Sequence, residues 1–195
     1  MKKSRHVMFA VVMGLVLGLT MAAGSALAAS KKDVAEARAE LRKMAQETLD
    51  RLYKMRPSAK TLIGKADGYA VFSNFGTKIL LFGGGAGKGI VFDKKAKQEI
   101  YMKMVEAQAG WGFGVKKFRL VLVFENQKDL KRFVDTGWEI GGQGSAAKKI
   151  GEEGGAYAGA VSVSPGVWLY QLTDKGLAME LTGKATRYYK DSDLN

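Results

Sequence analysis

Two hydrophobic periods divide the chain. From Ser30 to about Met55 the apolar residues Val34, Ala37, Leu41, Met44, Ala45, Leu49, Leu52 and Tyr53 recur mostly at steps of three and four. That spacing lines one face of an α-helix. The opposite positions carry Glu36, Arg38, Glu40, Arg42, Lys43, Glu47, Asp50 and Arg51. Such a helix packs its stripe on a core or lies along a membrane, and its mixed charges and alanine-rich stripe favour the core. Arg56-Pro57 ends it, because a residue before proline is pushed out of the helical region. A short polar bridge, Ser58 to Gly68, is expected next. From Tyr69 onward short apolar runs are cut by glycine and charged turns. They predict strands near Tyr69–Ser73, Lys78–Phe82, Gly87–Phe92, Glu99–Val105, Gly110–Val115 and Phe118–Phe124. A second helix is predicted at Asn126–Thr136, capped by Asn126, buried along Leu130, Phe133 and Val134, and stopped by Gly137. Further strands are expected near Trp138–Gly142, Ala156–Ser164, Val167–Leu172, Leu177–Thr182 and Ala185–Tyr189. Pro165-Gly166 and Asp174-Lys175-Gly176 supply turns between them.

The connections are too short for helical crossovers, so the sheet should be mostly antiparallel. The expected fold class is α+β: an N-terminal amphipathic helix packed on a mostly antiparallel, glycine-rich, strongly curved β-sheet, with one further short helix.

Ahead of the helix the pattern changes again. Lys2, Lys3 and Arg5 precede an almost unbroken apolar run from Val7 to Met21, and Ala26-Leu27-Ala28 follows. This order reads as a signal peptide over residues 1–28, cleaved ahead of Ala29. An uncleaved anchor is the rival, since Val7 to Ala29 is long enough to span a bilayer. With cleavage, a single domain, residues 29–195, is expected in the periplasm or cell envelope.

Composition then narrows the chemistry. The 195 residues include no Cys and one His, and the formal charge is +12. The lone histidine, His6, leaves with the signal, and the remaining 167 residues carry +9. A chain without His and Cys excludes Ser-His-Asp and Cys-His catalysis, iron–sulfur clusters and nearly all zinc, copper and haem sites. No cofactor is implied, and any enzyme would have to work with Lys, Asp, Glu or Tyr.

Glycine takes up about 13% of those 167 residues, against a usual ~7%. Gly85, Gly87 and Gly89 alternate, as do Gly110, Gly112 and Gly114 around Trp111 and Phe113. Alternation puts each set on one sheet face, where bulky groups can approach or the sheet can bend. The run Gly83–Gly89 lacks the spacing of a phosphate loop, since Phe82 and Gly89 stand where Gly and Ser or Thr are required. It reads as a glycine-rich turn and strand. The carboxylate pairs Glu152-Glu153 and Asp191 with Asp193 read as solvated charge, with a divalent ion at the tail pair as the alternative.

Basic residues cluster at Lys94-Lys95 with Lys97, Lys116-Lys117 with Arg119, Lys131-Arg132 and Lys148-Lys149. The excess is spread over the chain, +4 from Ala29 to Gly68 and +5 beyond. An exported protein seldom meets nucleic acid, so anionic phospholipid is the expected partner. Ordinary solubility charge is the bland alternative. Charge clustering alone singles out Lys116, Lys117, Arg119, Lys131 and Arg132 as lipid contacts.

The stretch GKADGYAVFSNFG (Gly64–Gly76) resembles the opening of the SYLF domain family, where a helix leads into an AxGxAVFP strand; Ser73 stands where many members have proline. The glycine-rich Phe82–Val91, Gly110–Gly114 ahead of the Phe118–Phe124 strand, and Trp138–Gln143 fit the same order. The endings Ser164–Gly176 and Thr186–Asn195 look like the exported bacterial branch. The resemblance implies a lipid-binding module without catalytic activity; eukaryotic relatives bind phosphoinositides, and some bind actin. The expected function is therefore non-enzymatic: an envelope domain that contacts anionic phospholipid head groups through Lys and Arg. Two alternatives remain. One is a structural domain with an envelope protein partner and no lipid. The other is a small outer-membrane β-barrel, opposed by the helices and by Phe118–Phe124, which is apolar on both faces.

Overall fold

A computed structural model describes residues 30–79, 82–109, 114–137, 139–140, 155, 157–178 and 184–195. The expected signal peptide, residues 1–28, lies outside them, as do Trp111, Phe113, Lys148-Lys149 and Glu152-Glu153. The described residues fall into two units that divide between Ala39 and Glu40. In the first, residues 30–39 are helical, with Lys32 and Glu36 3.8 Å apart one turn on. The second holds the rest of that helix, the sheet and the other two helices.

Helix α1, residues 30–55, matches the periodic segment. Past Glu40 its stripe is buried at Leu41, Ala45, Leu49 and Leu52. The expected polar bridge is instead partly helical. Helix α2 covers Ser58–Lys65 and buries Ala59, Leu62 and Ile63. Pro57 thus ends one helix and opens the next, where its missing N–H costs nothing. Lys94 Nζ donates to the carbonyls of Ile63, Gly64 and Ala66 at 2.6–2.9 Å, closing the C-terminal end of α2.

The strands are longer than predicted. Strand β1 runs Gly68–Ile79, β2 Phe82–Asp93, β3 Gln98–Ala109 and β4 Gly114–Phe124. The two runs predicted over Tyr69–Phe82 belong mostly to β1, and the run Gly83–Gly89 is strand throughout rather than partly turn. Helix α3, Gln127–Thr136, follows as expected: Asn126 Oδ1 accepts from Asp129 N at 3.0 Å, and Gly137 closes it at φ +60°. Then come β5 (Glu139–Ile140), β6 (Val161–Ser164), β7 (Val167–Thr173), β8 (Gly176–Ala178) and β9 (Lys184–Lys190).

All described pairings are antiparallel. The order is β5-β9-β3-β2-β1-β4-β7-β6, with β8 also on β7. The sheet is strongly curved, a half-barrel, and the fold is α+β. Among the described residues the sheet has distinct end strands, β5 and β6. No described helix is long and apolar enough to cross a membrane.

Each face has its own helix. Phe72, Val91, Met102, Phe118, Leu120, Leu122, Phe124 and Tyr188 share one core with Leu130, Phe133 and Val134 of α3. The other face is tied to α1: Arg42 donates to Glu99, and Arg119 Nη1 reaches Met44 O at 3.3 Å and Thr48 Oγ1 at 3.0 Å. Val121 and Val123 of β4 are fully buried too, which is why Leu120–Phe124 is apolar at every position. The glycines sit on the α3 face. A Cβ on Gly89 would lie 2.3 Å from Phe72 Cδ1, and one on Gly87 2.8 Å from Met104 Cγ. The bulky groups expected over them are thus side chains of the neighbouring strands, leaning across the α3 face.

Candidate functional site

On the α1 face the helix leaves part of the sheet uncovered. Lys88 projects there because its neighbours Gly87 and Gly89 belong to the opposite face. The ladder sets Arg187 against Val105, Val105 against Ala86, Ala86 against Phe75 and Phe75 against Lys117. One row therefore crosses five strands. The next row sets Tyr189 against Lys103, Lys103 against Lys88, Lys88 against Ser73 and Ser73 against Arg119. Lys88, Lys117 and Arg187 are exposed. Among the described residues Val105 and Tyr189 are the large apolar side chains most open to solvent, at 42% and 40%. Lys103 is engaged otherwise: its Nζ lies 2.8 Å from Asp191 Oδ1 and from Asp193 Oδ2. Those two carboxylates hold its pKa above the usual lysine range, and Lys103 in turn lowers that of Asp193. The tail carboxylates are thus partners of a lysine. Among the described residues no three acidic or histidine side chains converge as a metal site would need.

Next to this surface lies a cleft of about 580 Å³, lined by Glu47 and Arg51 of α1, Ser73 and Asn74 of β1, Lys117, Phe118 and Arg119 of β4, Leu172, and Asp174 of the β7–β8 turn. The helix places Glu47 and Arg51 one turn apart on the same side. Arg119 Nη2 lies 3.4 Å from Glu47 Oε2, and Arg51 Nη2 donates to Thr173 O. Lys117 and Arg119, two apart on a strand, point to the same side.

The structure therefore divides the five cations that clustering singled out. Lys117 and Arg119 share the cleft with Arg51. Lys116 pairs with Gly76 in the β1–β4 ladder, and its side chain is outside the description. Lys131 and Arg132 are exposed on α3, which packs on the opposite face of the sheet. Clustering missed Arg51, Lys88 and Arg187. Strand alternation held a partial signal for Lys88, since it separates that lysine from the glycines beside it. Arg187 needed the β3–β9 register.

A second hollow, about 420 Å³, is lined by Tyr69, Phe92, Asp93, Lys94, Lys97, Gln98 and Glu99. The Tyr69 and Phe92 rings stack there at 4.7 Å, and burial pushes the Tyr69 hydroxyl up to about 12. Lys94 already serves α2, which leaves this hollow poorer in available charge.

No protein-family model matches the chain. It is similar to Beta cell expansion factor A of Aeromonas veronii, with 34% identity over 165 residues. The alignment takes in 84% of this chain but 60% of that protein, so the chain spans less than two thirds of its relative's length.

Proposed function

We propose that this protein is a non-enzymatic envelope domain that binds phospholipid head groups at an anionic membrane surface. The observation that carries the reading is the uncovered sheet face, where Lys88, Lys117 and Arg187 stand around exposed Val105 and Tyr189. Cations near a charged bilayer contribute about 1 kcal/mol each, and an aromatic beside an aliphatic residue suits the head-group boundary. The absence of Cys, and of His beyond His6, supports a binding role over catalysis. The resemblance to the SYLF family supports the same ligand class.

The test is co-sedimentation of the exported protein with neutral and with phosphatidylglycerol–cardiolipin vesicles, at low and high salt. Binding to the anionic vesicles alone, lost in salt, is expected. Indifference to both would remove the lipid and favour an envelope protein partner. The similarity to Beta cell expansion factor A favours a compatible second reading, a secreted factor that acts on beta cells. Purified protein that leaves beta cell number unchanged in culture would count against it.

A further inference from the structure

The cleft beside α1 is not a simple anion site. Three cations line it, Arg51, Lys117 and Arg119, but so do two carboxylates, Glu47 and Asp174. A pocket for phosphate alone would place those carboxylates badly, since two like charges 4 Å apart repel by about 1 kcal/mol even in water. Among the described residues the carboxylates are not fully used. Arg119 meets Glu47 only through Oε2 and at 3.4 Å, which leaves Oε1 outside the contact. Asp174 is exposed and makes no hydrogen bond or ion pair among the described residues.

We infer that this cleft recognises a phosphodiester that carries a primary ammonium group, the chemistry of an aminophospholipid head group, with Arg51, Lys117 and Arg119 on the phosphate and Glu47 and Asp174 on the ammonium. The inference rests on the lipid reading above for the source of that group and makes it more specific. Both signs of the lining then meet an opposite charge on the ligand: the phosphate faces three cations, and the ammonium's three N–H donors face carboxylate acceptors. Glu47 and Arg51 stand one helical turn apart, about 5–6 Å, comparable to the reach from phosphate to ammonium across two carbons. The Ser73 hydroxyl completes the polar lining, and a volume of about 580 Å³ leaves room for the head group and its water. The uncovered sheet face supplies attraction to the bilayer, and the cleft supplies the choice of head group.

The experiment titrates the exported protein with glycerophosphoethanolamine and with glycerophosphoglycerol, by calorimetry. The first should bind at least about threefold more tightly, the usual scale for one partly exposed ion pair. Glu47→Gln with Asp174→Asn should erase that ratio and leave glycerophosphoglycerol binding in place, while Lys117→Ala weakens both. Glutamine keeps an acceptor for Arg119, and circular dichroism checks that the double variant is folded. Equal affinities, or a ratio that survives the double substitution, would overturn the inference. A vesicle arm separates the sources. It compares phosphatidylethanolamine with phosphatidylcholine, each mixed with the same share of phosphatidylglycerol. Tighter binding to the ethanolamine vesicles, lost in the double variant, places the group in a membrane. Binding of the soluble compound without binding to any vesicle keeps the cleft chemistry and removes the lipid reading. Equal binding to both vesicles and to both soluble compounds removes the cleft chemistry and leaves the lipid reading standing.

Discussion

Replacing Lys88, Lys117 and Arg187 together with alanine tests the membrane surface most directly. The row from Arg187 to Lys117 crosses four inter-strand steps, about 19 Å at ~4.8 Å each. That exceeds the ~10 Å screening length at 0.1 M salt, so the two should act independently. Lys88 lies between them on β2, one row along. With about 1 kcal/mol per cation close to an anionic bilayer, the triple variant should lose about 3 kcal/mol, or about 150-fold in vesicle partitioning. All three side chains are exposed, so stability should stay within about 0.5 kcal/mol of the parent. The assay is partitioning to phosphatidylglycerol-rich vesicles over a salt series, with thermal melting as the folding control. The salt dependence should flatten along with the affinity. A loss below about threefold in a folded variant would refute the reasoning, because it would place the contact elsewhere on the molecule. Lys131→Ala with Arg132→Ala is the matched control on the opposite face, and it should retain partitioning. A larger loss there than on the sheet face would shift the membrane contact to α3.

Other outcomes follow from packing and titration. Gly89→Ala would put a Cβ 2.5 Å from Val71 O as well as against Phe72, and backbone cannot swing away; urea denaturation should show a loss of about 1–3 kcal/mol. Gly64→Ala meets nothing within 4 Å and sits in α2, so the same measurement should show no loss and up to about 1 kcal/mol of gain. Asn126→Ala removes the cap from Asp129 N and should cost about 1 kcal/mol. Burial pushes the hydroxyls of Tyr69 and Tyr170 up to about 12, and Tyr188 higher still. The folded state then keeps protons that the unfolded chain releases above pH 10, so stability is intact below pH 10 and falls as pH rises from about 10 to 12. Spectrophotometric titration at alkaline pH should show tyrosines that ionise only as the protein unfolds.

The helices and the fold class were legible because their signals are local. The stripe of α1 and the Asn126 cap with Gly137 lie within single turns. Helix α2 was missed although Ala59, Leu62 and Ile63 keep helical spacing behind Pro57; eight residues with three apolar positions look like a polar connection until α1, α2 and Lys94 are seen together. Strand length was missed for a different reason. Asn74, Gly76 and Gly83–Gly89 carry turn-forming residues, and turn chemistry ends a strand in an isolated reading. Here that chemistry serves the curvature. Phe72 and Met104 lie over the glycine positions on the α3 face, so the strand continues where its composition suggests a stop.

The binding surface shows the same division between local and distant information. Clustering along the chain finds Lys116-Lys117 and Lys131-Arg132 because they are neighbours in sequence, yet a sheet sends adjacent residues to opposite faces and a helix turns them apart. Of the cations that share a surface, Lys88 in β2 and Arg187 in β9 are isolated in sequence, and they are drawn level with Lys117 in β4 by registers that only the paired strands define. Arg51 reaches the cleft from α1, and Asp174 from the turn after β7. A charge cluster useful to a bilayer must share one face of the sheet. In a sheet protein that condition selects residues spaced by whole strands, so the functional set should be sparse in sequence even where the local charge density is high elsewhere. The comparison of the Lys88, Lys117 and Arg187 variant with the Lys131 and Arg132 variant therefore tests this rule together with the site. Equal losses in both would mean that net charge, and not its placement by the fold, governs attachment.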